Sequence, residues 1–580
     1  MSQSIQATES NSWRYKDVAW LLIGIATVIQ LARILGMSAV HGELPFLSAN
    51  DRSRWCAIAS LTEDGKWEID RVVDILDSKG KSKIWNSIDI VRHRGKDGKE
   101  HFYSSKPPLL TAIYALVSKP VTLLFGKKLT EEPFMIGRVV MILVNVLPLA
   151  LWWIWFFFWL EKNVFDAWSR FILLNMALWG TFLSTFAATL NNHLHGALFF
   201  ALSLGLVWQI VHACQLGQSK SWWTWIACGL CAGLAVACEL PALAWAAAAG
   251  VILLAVDWRK FLLGYGVATA VVAVAFLATN YWAHQDLRPP YSHRGLGAWI
   301  ATIPKGPGNA ESPALESVME QANKHGYAFT DKATIIPARL TGVLQFIDDT
   351  AGQRVAIQSS DAGWSIYHWD DWYDFPKSYW LPGNKKGVDR GEENRLSYAL
   401  HFTIGHHGIF SLTPFWLLGI PGAAYWILKK RNSIRGWKGL LVSESGVALA
   451  LIAVTLACFV FYATRVVEDR NYGGVSSGFR WVFWLAPAWL WLCVPAVEMT
   501  GRLSALRRLT SLLLLISIFS ATIPWPNPWT HPWPYRVALW LYPDPPEAKP
   551  IPEAKPLTEA KPVTEVKPGL FISRRALAHG

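Results

Sequence analysis

The feature that most constrains this chain is a series of apolar runs, each close to the ~20 residues that a helix needs to cross a bilayer. They occupy 18–40, 134–160, 168–190, 194–214, 222–238, 241–256, 261–281, 408–428, 441–463, 479–498 and 507–523. About eleven such runs predict an all-α polytopic membrane protein with about 11 transmembrane helices. A chain of 580 residues that is 52% hydrophobic and holds 34 tryptophans is too apolar for a set of soluble domains. Its net charge of +12 therefore calls for a membrane explanation, and no nucleic-acid partner is expected. Cysteine supports no disulfide framework: Cys214, Cys228, Cys231, Cys458 and Cys493 lie inside apolar runs and Cys238 ends one. Cys228 and Cys231 have redox-motif spacing, but in an apolar helix they read as packing. The first run is too long for a signal-peptide core and no clean cleavage site follows it, so an uncleaved anchor is expected.

Sidedness turns on the run from Pro108 to Gly126. Lys119 and Pro120 interrupt it and leave an uncharged stretch of about twelve residues, the length of an interfacial helix. If it lies on the outer surface, Lys162, Lys220, Arg259 with Lys260, Lys429-Lys430-Arg431 with Arg435 and Lys438, and Arg502 with Arg507-Arg508 all share the N-terminal side. The positive-inside rule then makes that side cytoplasmic. The expected organisation is a cytoplasmic N-terminus (1–17) in a plasma or inner membrane, and a transmembrane catalytic half (18–285) whose external loop 41–133 carries juxtamembrane helices. A mixed external domain (286–407) and C-terminal transmembrane helices (408–523) follow. Residues 524–580 form an external Trp/Pro-rich segment and a repeat tail. That tail (PEAKPI, PEAKPL, TEAKPV, TEVKP) alternates charge and proline with almost nothing to bury, which predicts disorder.

The external polar segments hold the residues able to do chemistry. Asp51 follows the first span and is trailed by Arg52, Arg54 and Trp55. A carboxylate beside guanidiniums at the membrane surface suits a general base with a phosphate clamp, and it equally suits a helix cap. Lys106 precedes Pro107 and Pro108 at a helix start, a place for a phosphate or for a snorkelling anchor. The turn LNNHLHG offers Asn191, Asn192, His193 and His195 for substrate hydrogen bonding, without a carboxylate for a metal. Glu239 stands at the outer boundary between two spans, where acidic residues are costly. The cluster GWSIYHWDDWYDFPKSYW (363–380) suits sugar stacking, an interfacial belt or a small core. His406 and His407 are adjacent, a poor spacing for metal ligands. In NYGGVSSGFRW (471–481), the glycines suit a tight turn and Arg480 suits a phosphate.

These residues resemble the GT-C superfamily of membrane glycosyltransferases, in particular the branch of protein O-mannosyltransferases and the lipid A aminoarabinose transferase. The resemblance rests on Asp51 with Arg54 three residues on, Lys106-Pro107-Pro108, and Arg138 entering the second span, over roughly residues 18 to 285. It implies a hexosyl- or pentosyl-transferase of the cell envelope that moves sugar from a polyprenyl-phosphate carrier to an acceptor hydroxyl of a glycan, lipid or protein. Asp51 would be the base of an inverting transfer, while Arg54 and Lys106 would hold the phosphate. Many relatives carry a second acid in the next external turn, where this chain has Asn191, Asn192 and His193. No metal site or cofactor is expected, a divalent cation having no supporting ligand set. Two alternatives remain, a polytopic transporter and a non-catalytic membrane binding protein. A transporter should show broken polar helices at mid-membrane and inverted repeats. The binding protein predicts that Asp51, Lys106 and Glu239 do not converge.

Overall fold

The computed structural model describes residues 2–304, 312–428 and 436–541. The repeat tail and the basic residues Lys429, Lys430, Arg431 and Arg435 lie outside them. The chain divides into one unit ending at Tyr535 and a second, Arg536–Gly580, of which 536–541 complete a helix Trp533–Leu541.

Helix α1 (Ser2–Gly36) is followed by α2 (Ala49–Glu63), whose N-cap Ser48 accepts the Asp51 N–H at 3.1 Å. Strands β1 (Ile90–Arg94) and β2 (Glu100–Ser104) form an antiparallel hairpin with Ile90 opposite Ser104. Its turn uses Gly98 at φ +79°, a conformation that costs glycine nothing. Then come α3 (Pro108–Phe125), the long α4 (Pro133–Asn163), α5 (Ala167–Asn175) and α6 (Phe182–Phe186). Next are α7 (Asn192–Gln215), α8 (Trp222–Cys238), α9 (Leu240–Val256) and α10 (Trp258–His284).

Beyond α10, within the stretch expected to form a mixed domain, the chain builds a five-stranded antiparallel sheet. Its strands are β3 (Arg294–Ile303), β4 (Thr334–Pro337), β5 (Val343–Asp348), β6 (Gln353–Ser360) and β7 (Gly363–Asp371), in the order β3-β7-β6-β5-β4. Helix α11 (Leu315–Lys324) covers it, placing Val318 and Ala322 against Phe346, Val355 and Ile366. The sheet is tied to the segment between α1 and α3: the Arg92 N–H donates to the Trp372 carbonyl at 2.9 Å, and Trp380 Nε1 donates to the Ile88 carbonyl at 2.8 Å. Helices α12 (Arg395–Thr403), α13 (Pro414–Leu428), α14 (Glu444–Ala463), α15 (Arg480–Thr500) and α16 (Ser504–Thr522) complete the bundle. Trp153, Trp225, Trp245 and Trp484 are fully buried in its core, each contributing on the order of 150–250 Å² of packed surface.

Among the described residues, eight helices are long and apolar enough to cross a membrane. Seven coincide with expected runs; the runs at 222–238, 241–256 and 408–428 give shorter apolar helices. The eighth is α3, which continues through Lys119 and Pro120 as one helix of 18 residues, so the expected interruption does not occur. Proline removes one N–H bond there and does not end the helix.

The run at 168–190 does not make a single span. After α5 it passes through a π-helical turn to Gly180 and an extended Thr181 before α6. Carbonyls freed by such breaks must find donors away from water. Arg33 of α1 supplies them to Ser184 and Thr185, Asn145 of α4 to Ala187 and Thr189 (2.9 Å each), and Asn191 to Phe186.

Candidate active site

The first turn of α7 and the breaks around it place several cations and carboxylates in one buried network. Arg54, on α2, is almost fully buried and donates from Nη2 to Asn192 Oδ1 at 2.6 Å. Asn192 Nδ2 donates to Glu239 Oε1 at 2.6 Å. The same carboxylate oxygen lies 2.5 Å from His193 Nδ1, and His193 Nε2 lies 2.7 Å from Arg480 Nη1. Because a guanidinium only donates, Nε2 accepts and the His193 ring proton sits on Nδ1, facing Glu239. Five sequence candidates, Arg54, Asn192, His193, Glu239 and Arg480, therefore form one chain of polar contacts.

Local backbone makes room for it. Glu239 caps the end of α8, where the chain is extended before Pro241. A Cβ on Gly196 would lie 2.8 Å from the Glu239 side chain. Gly473, at φ +93°, lets its carbonyl accept from Arg480 Nε at 2.6 Å, and a Cβ there would meet the Arg480 side chain at 2.8 Å. The Arg480 guanidinium stacks over Trp529 at 4.9 Å, so the Trp/Pro-rich segment folds back over the site.

Lys106 joins through a residue that sequence reasoning missed. Its Nζ lies 3.2 Å from Asp89 Oδ1, both side chains being largely buried. The hairpin causes this encounter: with Ile90 opposite Ser104, Asp89 falls opposite Ser105, whose N–H donates to the Asp89 carbonyl at 3.1 Å. Alternation in IDIVRHR (88–94) was the available signal for the strand. Burial lowers the Lys106 ammonium to about 8, against the pull of Asp89; Arg54 and Arg480 add to the lowering. Asp89 and Asp389 also lie within electrostatic reach of Arg480. Arg294, stacked over Tyr373 at 4.5 Å, lies within reach of Asp89 and is a further residue that sequence reasoning passed over.

Three candidates sit differently from expectation. Asp51 is fully buried and makes no pair with Arg54, which turns to Asn192 instead. Its Oδ1 accepts from the Leu190 N–H and Trp55 Nε1, both at 2.9 Å, and its Oδ2 accepts from the Leu47 N–H at 3.2 Å. Burial raises its carboxyl to about 7, with those three bonds and Arg52 opposing the rise. Asn191 caps α7 by accepting the Leu194 N–H at 3.1 Å, and its amide donates to Phe186 and Thr189. That side chain's polar groups are engaged in holding the loop. His195 is likewise structural, between Tyr114 Oη and the Val144 carbonyl, 2.7 Å from each. Among the described residues, no three His, Cys, Asp or Glu side chains are grouped to hold a metal ion.

No protein-family model matches the chain, and no curated protein matches it by sequence. Among solved structures, the chain is similar to the oligosaccharyltransferase of Archaeoglobus fulgidus in its apo form, with 14% identity and a TM-score of 0.45. The match covers 92% of this chain and 59% of that one, so the chain spans less than two thirds of that protein's length.

Proposed function

We propose that this chain is an integral-membrane glycosyltransferase of GT-C type, transferring a sugar from a polyprenyl-phosphate carrier to an acceptor hydroxyl on the outer face. The observation that carries the reading is the convergence of Arg54, Lys106 and Arg480 with Asp89 and Glu239 beside apolar helices. A buried group of cations at membrane level suits a lipid phosphate, since charge-assisted bonds strengthen where water is excluded. The carrier phosphate takes over Lys106 from Asp89 and engages Arg54 and Arg480. Glu239, His193 and Asn192 hold those guanidiniums and bind sugar hydroxyls.

The acceptor oxygen attacks the anomeric carbon as the bond to the phosphate oxygen breaks. Its proton passes to a carboxylate, and the departing phosphate keeps the bonding electrons under the three cations. This displacement inverts the anomeric centre. Asp51 is the base in this reading, because a carboxyl held near 7 both takes and returns a proton at neutral pH. To reach an acceptor, it exchanges its bond to the Leu190 or Leu47 N–H. A second reading makes Asp89 the base, favoured by its partial exposure where Asp51 has none.

The N-terminus is cytoplasmic and the site external, with α3 on the outer surface. Supporting this, Arg138 of α4 donates to the Met37 carbonyl just past the end of α1 at 2.9 Å. The end of α1 and the start of α4 are thus in contact, as expected if α3 does not cross the membrane between them. Transfer of labelled sugar from polyprenyl phosphate in reconstituted vesicles tests the reading. Arg480→Ala should reduce it by about 100-fold or more, the scale for removing one group that stabilises developing charge. Wild-type turnover by Arg480→Ala and Lys106→Ala would overturn the phosphate clamp.

A further inference from the structure

Four histidines from two distant segments pack together beside the candidate active site. His401 lies in the last turn of α12, His406 and His407 in the turn that follows it, and His531 in the Trp/Pro-rich segment. His401 stacks on His406 at 4.0 Å, His407 meets His531 at 6.2 Å, and Nδ1 of His406 contacts Nδ1 of His407. Tyr472 stacks on His407 at 4.4 Å and Tyr535 on His531 at 4.3 Å. His407 also lines a small apolar cavity with Phe182, Trp416 and Phe483. The cluster is one of several ties on the Trp/Pro-rich segment. Arg33 donates to the Trp525 carbonyl at 2.8 Å, the Ser477 N–H donates to the Pro528 carbonyl at 3.0 Å, and Arg480 stacks over Trp529.

This tie differs from the others because it requires neutral rings. Two facing Nδ1 atoms share a hydrogen bond only when one carries a proton and the other does not. A further proton on the pair leaves two donors face to face. His401 Nδ1, His407 Nε2 and His531 Nδ1 are buried with no hydrogen-bond partner among the described residues. In a neutral ring such a nitrogen can be a bare lone pair, whereas in a charged ring it is an unmet donor. The electrostatic influences on His406 and His407 come from the other histidines, with no carboxylate among them. The titratable neighbours on the packed elements are Tyr472 and Tyr535. Behind Tyr472 stand Glu392, which reaches only its Oη at 3.4 Å, and Arg470, which donates to the Glu392 carbonyl at 2.8 Å. Burial and mutual repulsion push His406 down to about 3 and His407 well below its ordinary value, and burial lowers His531 as well.

We propose that these histidines form an acid-sensitive latch, which holds the Trp/Pro-rich segment over Arg480 at neutral pH and releases it in acid. The latched form is fully stable above the ordinary imidazole value of 6.5 and weakens as pH falls from there toward 3, because the released form takes up the protons. One imidazole returning from about 3 to 6.5 favours release about 25-fold between pH 7 and 5. Control of a carrier phosphate by this release rests on the transferase reading, whereas the latch itself does not. Full-length protein in nanodiscs, without donor, is followed by hydrogen exchange and mass spectrometry at pH 7 and 5, with labelling times scaled to the intrinsic exchange rate. Exchange in residues 523–535 and in the peptide carrying Ser477 should rise about tenfold or more at pH 5, while strands β5 and β6 keep their protection. His406→Gln combined with His407→Gln should remove most of that rise, and His531→Gln, a change at one half-buried ring, should reduce it. Equal exchange at both pH values in wild type, an undiminished rise in both variants, or a rise shared by β5 and β6 would overturn the proposal. Release in a protein that transfers no sugar would overturn the transferase reading alone, and transfer with pH-independent exchange would overturn the latch alone.

Discussion

Asp51 and Asp89 are both carboxylates of the segment between α1 and α3, yet their surroundings suit them to different work. Asp51 is sealed and held by three N–H donors, whereas Asp89 faces an ammonium. With Asp51 as base, Asp51→Asn should lower transfer by about 10²–10⁴-fold, while Asp89→Asn, which frees Lys106 for the phosphate, should leave kcat near wild type without raising the apparent KM for the carrier. The opposite pattern would assign the base to Asp89. Stability gives an independent readout of Asp51. Its carboxyl rises from 3.8 to about 7 on folding, so its contribution is fully present below about 4 and lost as pH climbs through 7. Asp51→Asn should therefore flatten the fall in melting temperature between pH 4 and 8, as read by scanning fluorimetry in detergent. Lys106, lowered to about 8, loses its charge above that pH when no phosphate is bound. Carrier affinity should decline through pH 8 in wild type, and Lys106→Arg should remove that decline in nanodisc titrations.

At the scale of elements, the broken segment from α5 to α7 is the part on which the site depends. Asn145 supports two of its carbonyls from α4. Asn145→Leu should destabilise the protein by about 1–3 kcal/mol for each buried acceptor left unpaired, seen as a lower melting temperature. Gly473 is the other hinge of the site. Adding a Cβ at φ +93°, 2.8 Å from Arg480, should displace the guanidinium from His193. Gly473→Ala should reduce transfer with little change in the fold, as circular dichroism would show. Neither the π-helical turn after α5 nor the continuity of α3 through Pro120 is legible as local pattern. Both depend on what neighbouring helices donate or pack.

Across the whole molecule, the site gathers α2, the β1–β2 hairpin, the start of α7, the break after α8 and the entry to α15. The Trp/Pro-rich segment closes over it. Trp529→Ala should free Arg480 from its stacking and weaken carrier binding by about tenfold, equivalent to ~1.4 kcal/mol, within the range for a desolvated cation–π contact.

By itself the sequence determined the membrane character, because the length and apolarity of a span are properties of a contiguous stretch. It also marked Arg54, Lys106, Asn192, His193, Glu239 and Arg480, since polar side chains flanking apolar runs stand out without any knowledge of contacts. Tertiary structure decided which partner each one meets. Arg54 turns to Asn192, away from Asp51, and Asp89 reaches Lys106 only through the register of a hairpin. Sequence spacing ranks neighbours along one helix. It does not rank partners delivered by packing of distant segments, where burial and unmet hydrogen bonds select the contact.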